Sequence, residues 1–328
     1  MTRSYLRSIL STSRLSTARD VIKVLGSKGV VLVTAAAPVV WGSTYLVTTE
    51  LLPDGRPLLA AALRALPAGL LLLLVMRERP TGAWWWRSAV LGTLNIGAFF
   101  ALLFVSAYRL PGGVAALLGA AGPLLVAGLS AAFLGEHFSA RRLFAGTLAA
   151  AGVGLTVITS AGSLDPVGVL AGIAATASMS LGVVLTKRWP RPTSVLTMTG
   201  WQLSVGGLLL LPMALAVEGT PATLSVMNLA GYAYLSLAGS ALAYAVWFRG
   251  IDRLPAFSVS LLGPLSPLVA TLLGWAVLDQ RLTGFQLFGA AVALGGVVAG
   301  QSLGSSTTRC ERRQPHGRGG QAVNPAHP

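Results

Sequence analysis

The chain has 328 residues, of which 54% are hydrophobic and only 10% charged, and its mean hydropathy is +0.71. A soluble domain carries about 25% charged residues, so water is excluded as the main solvent. The net charge of +14 invites a nucleic-acid partner, but the placement of the basic residues decides against one.

An apolar helix needs about 20 residues to cross the hydrocarbon core. Charged and proline-marked breaks divide the chain into ten such stretches, predicted at 30–50, 57–76, 88–106, 111–134, 141–160, 166–186, 195–217, 226–248, 255–278 and 282–302. The expected fold is therefore an all-α integral membrane protein of ten transmembrane helices. With the N-terminus in the cytoplasm, twenty of the 24 basic residues fall on the cytoplasmic side. Arg56, Arg109 and Arg281 fall outside, and Arg64 lies within a span. That asymmetry is the positive-inside signature. It predicts a multi-pass protein of a bacterial-type inner membrane with both termini cytoplasmic.

Residues 1–29 read as a basic, disordered cytoplasmic leader. Its serines and arginines, with Asp20 as its one acid, also match an organelle transit peptide in composition, and an over-called start codon gives the same pattern. Span 1 carries Thr34, Pro38, Trp41, Tyr45 and Thr48 at steps of three and four, which places them on one helical face. Trp41 falls near mid-membrane at about 1.5 Å per residue, where it either lines a cavity or packs against a neighbouring helix.

Arg64 in span 2 is the one clear charge inside a span, and a central arginine costs roughly 2.5–3.5 kcal/mol on translocon scales. Two readings compensate it: snorkelling toward the outer surface or capping neighbouring carbonyls, and attraction of a substrate carboxylate. Span 3 repeats the polar and aromatic face with Ser88, Gly92, Asn95, Phe99 and Ser106. Asn95 suits either a polar substrate or an interhelical hydrogen bond. Tyr244 in span 8 completes the candidate substrate-binding set of Trp41, Tyr45, Arg64, Asn95, Phe99 and Tyr244. Trp84, Trp85, Trp86, Trp189, Trp247 and Trp275 lie near predicted span ends, where the interfacial aromatic belt accounts for them. The tail, 303–328, is rich in Gly, Arg, Gln and Pro and reads as disordered.

An internal repeat runs through this order. Arg109-Leu110-Pro111 recurs 144 residues later as Arg253-Leu254-Pro255. The same offset carries Gly119 to Gly263, Pro123 to Pro267 and Gly152 to Gly296. Further back the register slips, with Trp41-Gly42 near Leu181-Gly182 and Gly69 near Gly206. The units are 30–160 and 161–302, five spans each, and an odd number forces the second to lie inverted in the bilayer. Inverted repeats of this kind let secondary transporters exchange two unequal conformations about one site. Spans 4 and 9, with Gly122 and Pro123 against Pro264 and Pro267, either bend near the middle or pack closely through small residues.

Asp, Glu and His are missing from mid-span positions, leaving Glu50, Glu136 and Asp279 at span ends. Proton coupling thus has no support in the sequence, and exchange and facilitated diffusion stay open. The one cysteine, Cys310, supplies neither a disulfide framework nor a thiolate metal site. No cofactor or metal is expected. The chain also lacks a Walker loop, a His-Glu-x-x-His pair and an acid-rich cluster. A membrane-embedded enzyme acting on a lipid-soluble substrate is the main alternative, and a sensor or scaffold the third. The expected partners are a small-molecule substrate and the lipid bilayer, with no nucleic acid; oligomeric state stays open.

Residues 30–302 resemble the EamA-type transporters of the drug/metabolite transporter superfamily. The marks are Trp41-Gly42-Ser43, Arg64, Ala107-Tyr108-Arg109-Leu110-Pro111 and Gly135-Glu136. In the second half Asp279-Gln280 stands where the first has Gly135-Glu136. The resemblance implies a basket of ten helices around a central cavity and export of amino acids or related metabolites. The first half is similar to members labelled exporters of the blue pigment indigoidine.

Overall fold

The computed structural model describes residues 28–44, 46–53, 55–110, 118–136, 140–157, 165–220, 223–277 and 283–311. The leader to residue 27, Tyr45, Asp279, Arg281 and the tail from residue 312 lie outside the described residues. All regular structure among those described is helical. The helices are α1 (Lys28–Leu51), α2 (Pro57–Met76), α3 (Trp84–Gly92), α4 (Ala98–Arg109), α5 (Gly122–Leu134), α6 (Ala140–Val157), α7 (Pro166–Arg188) and α8 (Val195–Glu218). They continue as α9 (Val226–Ser236), α10 (Ala243–Arg253), α11 (Ala256–Ser260), α12 (Leu265–Val277) and α13 (Gly284–Glu311). A π-helical turn, Thr93–Gly97, joins α3 to α4, and a second, Leu237–Leu242, joins α9 to α10. Seven helical stretches are long and apolar enough to cross a membrane, and three shorter apolar helices accompany them among the described residues. The protein is thus an all-α, multi-spanning membrane protein.

Charge marks the end of α2, which stops at Met76 as predicted, but two other ends move. The third stretch begins at Trp84, ahead of the predicted residue 88, and α10 runs to Arg253, beyond the predicted 248. At the ends of α4 and α10 the residue before a proline does the stopping. Leu110 (φ −121°, ψ 149°) and Leu254 (φ −115°, ψ 155°) take nearly the same extended conformation, because a residue preceding proline is pushed out of the helical region. α13 continues to Glu311, beyond the predicted span end at residue 302.

The most extensive helix contacts are α2 on α8 and α6 on α13. α2 buries Ala61, Ala65, Ala68 and Gly69 along one stripe, and α8 answers with Gly200, Ser204 and Gly207. Small residues let backbones approach closely, the usual source of helix association in lipid. The crossing is antiparallel and reciprocal: a methyl added at Gly69 would lie 2.4 Å from Ser204 N, and one at Gly207 would lie 2.6 Å from Leu66 Cα. The reciprocity makes Gly69 and Gly207 equivalent positions of the two helices, one residue beyond the Gly206 expected from the repeat. Carboxylates fasten both ends of the pair. Glu218, closing α8, accepts from Leu58 N (2.6 Å) and Leu59 N (2.9 Å) at the start of α2. Glu78, following α2, accepts from the Thr193 and Thr197 hydroxyls at the start of α8. Negative charge at a helix N-terminus satisfies its free amides and favours the macrodipole.

The α6 and α13 pair repeats the device. A methyl at Gly152 would sit 2.2 Å from Ala293 N, and one at Gly296 would sit 2.5 Å from Ala149 N. The 144-residue offset carries Gly152 to Gly296 and Ala149 to Ala293, so it exchanges the two contacts, and it also carries the first π turn onto the second. Long-range helix pairings thus follow the sequence repeat.

Candidate functional site

A cluster of aromatic and basic side chains gathers around the second π turn. Trp41 Nε1 of α1 donates to Gly239 O at 2.9 Å. Arg64 of α2 donates from Nη2 to the same oxygen at 3.1 Å and from Nε to Ser240 Oγ at 3.3 Å. Its guanidinium lies 4.7 Å from the centre of the Phe100 ring, a distance at which the quadrupole of the ring attracts a cation. Tyr244 closes the cluster, with its ring 4.9 Å from Trp41, 6.1 Å from Phe100 and 5.7 Å from Phe248.

Arg64 is only 4% exposed, so it does not snorkel. It reaches across to a carbonyl of the α9–α10 turn instead. π turns widen the helix by one residue and recur at functional sites. Here the turn presents Gly239 O and Ser240 Oγ to α1 and α2, and a carbonyl has two lone pairs to accept both donors. The product is a buried, cationic, aromatic-walled spot of the kind that suits a planar anionic solute.

The other predicted residues divide. Tyr45 lies outside the described residues. Phe99 is half-buried, with its ring 5.7 Å from Phe100, but Phe100 is the residue in contact with Arg64 and Tyr244. The extra residue of the Thr93–Gly97 turn advances the face of the helix by one position, which a regular 3.6-residue count does not foresee. Trp247, expected in the interfacial belt, is 3% exposed and stands 5.2 Å from Trp41. The reason is that α10 extends past it by six residues to Arg253.

Asn95 is fully buried between α7 and α8. Its Nδ2 donates to Gln202 Oε1 (2.8 Å) and Thr186 Oγ1 (3.3 Å), and its Oδ1 fills the space that a side chain at Gly182 would need. These contacts support its helix-packing role. The relation to the other site is instructive: Asn95 and Gly239 are 144 residues apart, and Gln202 and Arg64 occupy equivalent positions of the α2 and α8 crossing. One π turn is thus held by a neutral amide from α8, the other by a cation from α2.

Two further polar places are accounted for by structure. An open cleft of about 560 Å³ is lined by Thr186, Lys187, Pro190, Arg191, Thr193 and Asp252 among others. Its charges are engaged: Lys187 Nζ donates to Ile251 O (2.9 Å) and Leu254 O (2.8 Å), closing α10, and Arg191 pairs with Asp252. At the opposite end of α7, Asp165 caps the helix through Val167 N (2.7 Å) and pairs with Arg109 at 2.9 Å. The Arg109 hydrogen bond, followed by the backbone amide, holds the Asp165 carboxyl below its ordinary value of 3.8. Among the described residues no group of three or more His, Cys, Asp or Glu is arranged to hold a metal ion.

Comparison with known proteins adds the rest. Residues 27–158 and 166–299 each match the EamA-like transporter family. The chain is similar to Protein PecM of Dickeya dadantii, 47% identical over 269 residues, which cover 81% of this chain and 90% of that protein. It is also similar to a probable amino-acid metabolite efflux pump of Salmonella typhimurium, 27% identical over 79% of this chain and 90% of that one. A crystal structure superimposes with a TM-score of 0.72 at 19% identity, covering 85% of this chain and 99% of its own; it speaks to the fold alone.

Proposed function

The chain belongs to the EamA-like transporter family, and from that premise we propose that it exports small metabolites by alternating access, through a chamber walled by Trp41, Arg64, Phe99 and Tyr244. It is a secondary transporter of the drug/metabolite superfamily in a lipid bilayer, not an enzyme. The observation that carries the reading of the site is the convergence of Trp41 and Arg64 on Gly239 O beside the Tyr244 ring. The sequence spacing from Trp41 assigns Tyr45 to the same wall as part of this proposal, while Asn95 fixes the first π turn through Gln202 and Thr186.

Ten spans arranged as two inverted five-helix units, 30–160 and 161–302, are the architecture we infer. Three observations support it. The family matches the chain twice, in two successive segments. The equivalent helices α2 and α8 run antiparallel, as do α6 and α13, with reciprocal contacts. The π turns recur at the repeat offset. The concentration of basic residues on alternate loops supports an inner-membrane orientation with both termini in the cytoplasm.

The substrates we infer are amino acids or aromatic, pigment-like compounds. A monovalent carboxylate pairs with Arg64, and the aromatic wall receives a ring or an apolar side chain. The similarity to an amino-acid metabolite efflux pump supports that class. Purified protein in liposomes should exchange labelled amino acids or aromatic metabolites. Inertness across a broad panel of both would overturn the proposed substrate class.

A further inference from the structure

We propose that Arg87 and the indoles around it form a binding site for the phosphate of an anionic phospholipid. The guanidinium carbon of Arg87 lies 5.5 Å from the ring centres of Trp84, Trp86 and Trp189 alike. Trp86 and Trp189 meet edge to face at 5.1 Å, and Trp84 packs 6.4 Å from Trp201. Three rings therefore fix one cation in place. They contribute no acceptor, because an indole carries only an N–H donor.

The interfacial aromatic belt explains exposed tryptophans such as Trp85 and Trp86, 61% and 51% exposed. It does not explain the arginine. Arg87 Nε is buried without a hydrogen-bond partner, and its guanidinium makes no hydrogen bond to any described residue. Caging lowers the entropy lost when a planar fork binds, and phosphate oxygens match the fork bidentately. The ligand is a lipid rather than a soluble phosphate because the cage opens at the end of a span, where Trp85 and Trp86 flank it with exposed apolar surface. A headgroup there keeps its acyl chains beside those rings. Arg77 and Arg79, on the loop after α2, and Arg188, closing α7, add the positive field that anionic headgroups seek. A basic pocket between helices at a membrane interface is the chemistry by which such headgroups are recognised.

The test uses the full-length protein in phosphatidylcholine vesicles containing a minor fraction of brominated lipid, with tryptophan fluorescence as the readout. Brominated phosphatidylglycerol should quench at roughly fivefold lower mole fraction than brominated phosphatidylcholine, the ratio that ~1 kcal/mol per arginine near an anionic surface corresponds to. Arg87→Gln should remove that difference, and Arg79→Gln should retain most of it. Equal quenching by the two lipids in the wild type would overturn the proposal even if no variant folds. Retention of the preference in Arg87→Gln would assign it to the general basic field instead. Relief of quenching by millimolar glycerol phosphate would show a soluble phosphate to be the occupant, and would equally overturn it.

Discussion

The indole of Trp41 and the guanidinium of Arg64 end on one oxygen atom, the carbonyl of Gly239, at 2.9 and 3.1 Å. Helices α1 and α2 are thereby tied to the α9–α10 turn through a single acceptor. Replacing either donor should loosen that turn for the other. Trp41→Phe keeps the ring beside Tyr244 but deletes a hydrogen bond worth about 0.5–1.5 kcal/mol. Trp41→Ala deletes the ring contacts as well. Efflux from proteoliposomes should fall in Phe and further in Ala, at unchanged membrane abundance, and normal kinetics in the alanine variant would remove Trp41 from the chamber wall.

Arg64 offers a sharper measurement because it separates two jobs. A charge-assisted hydrogen bond is worth about 1.5–3 kcal/mol, so an arginine that pairs a substrate carboxylate contributes roughly tenfold or more to affinity. Arg64→Gln should raise KM for carboxylate-bearing substrates by that factor and leave neutral analogues nearly unaffected. An equal change for both classes, together with reduced abundance, would make Arg64 a structural cation serving the Gly239 turn alone.

Much of this fold was legible before any coordinates, because lipid imposes strong rules. Apolar length marked an all-α, multi-spanning membrane protein, and the Arg-Leu-Pro repeat marked two equivalent helix ends. The site was only partly legible. Trp41 and Arg64 stood out in an apolar chain by depth and by charge, and the structure brings both candidates together with Tyr244. Phe100 was missed in favour of Phe99, since a π turn leaves no mark in hydrophobic periodicity. Gln202 was missed because nothing in the sequence shows that α8 brings it to Asn95.

Gly152 and Gly296 should tolerate no side chain. A methyl at Gly152 meets the backbone of Ala293 at 2.2 Å, and backbone, unlike a flexible side chain, has nowhere to go. Overpacking of this kind costs about 1–3 kcal/mol. Gly152→Leu should lower the melting temperature in detergent, whereas Gly128→Leu, where the space is open, should not. Similar melting of the two variants would deny the close α6 and α13 crossing.

The amide pair Asn95 and Gln202 should show coupling in stability before any effect on substrate preference. Interhelical hydrogen bonds in membranes average about 0.6 kcal/mol and reach about 1.7. A double-mutant cycle with Asn95→Ala and Gln202→Ala should return a coupling in that range, while the ratio of KM values between carboxylate and neutral substrates stays constant. Additive effects on stability, with a changed ratio, would move Asn95 from the packing interface to the chamber.

The pair Arg109 and Asp165 ties the end of α4 to the start of α7 at 2.9 Å, with both side chains partly exposed. Because pairing holds the Asp165 carboxyl below its ordinary 3.8, its contribution is fully present above that value. It disappears only as pH falls through the lower folded-state value. An exposed pair is also screened by salt and modest in strength. Between about pH 5 and 8 the carboxyl stays ionised in folded and unfolded chains alike, so it contributes no pH dependence there. Asp165→Asn should therefore lower transport or thermal stability by the same small factor at both ends of that range. The loss should shrink in high salt. A wild-type to variant ratio that changes between pH 5 and 8 would require a group other than this carboxyl to titrate against Arg109.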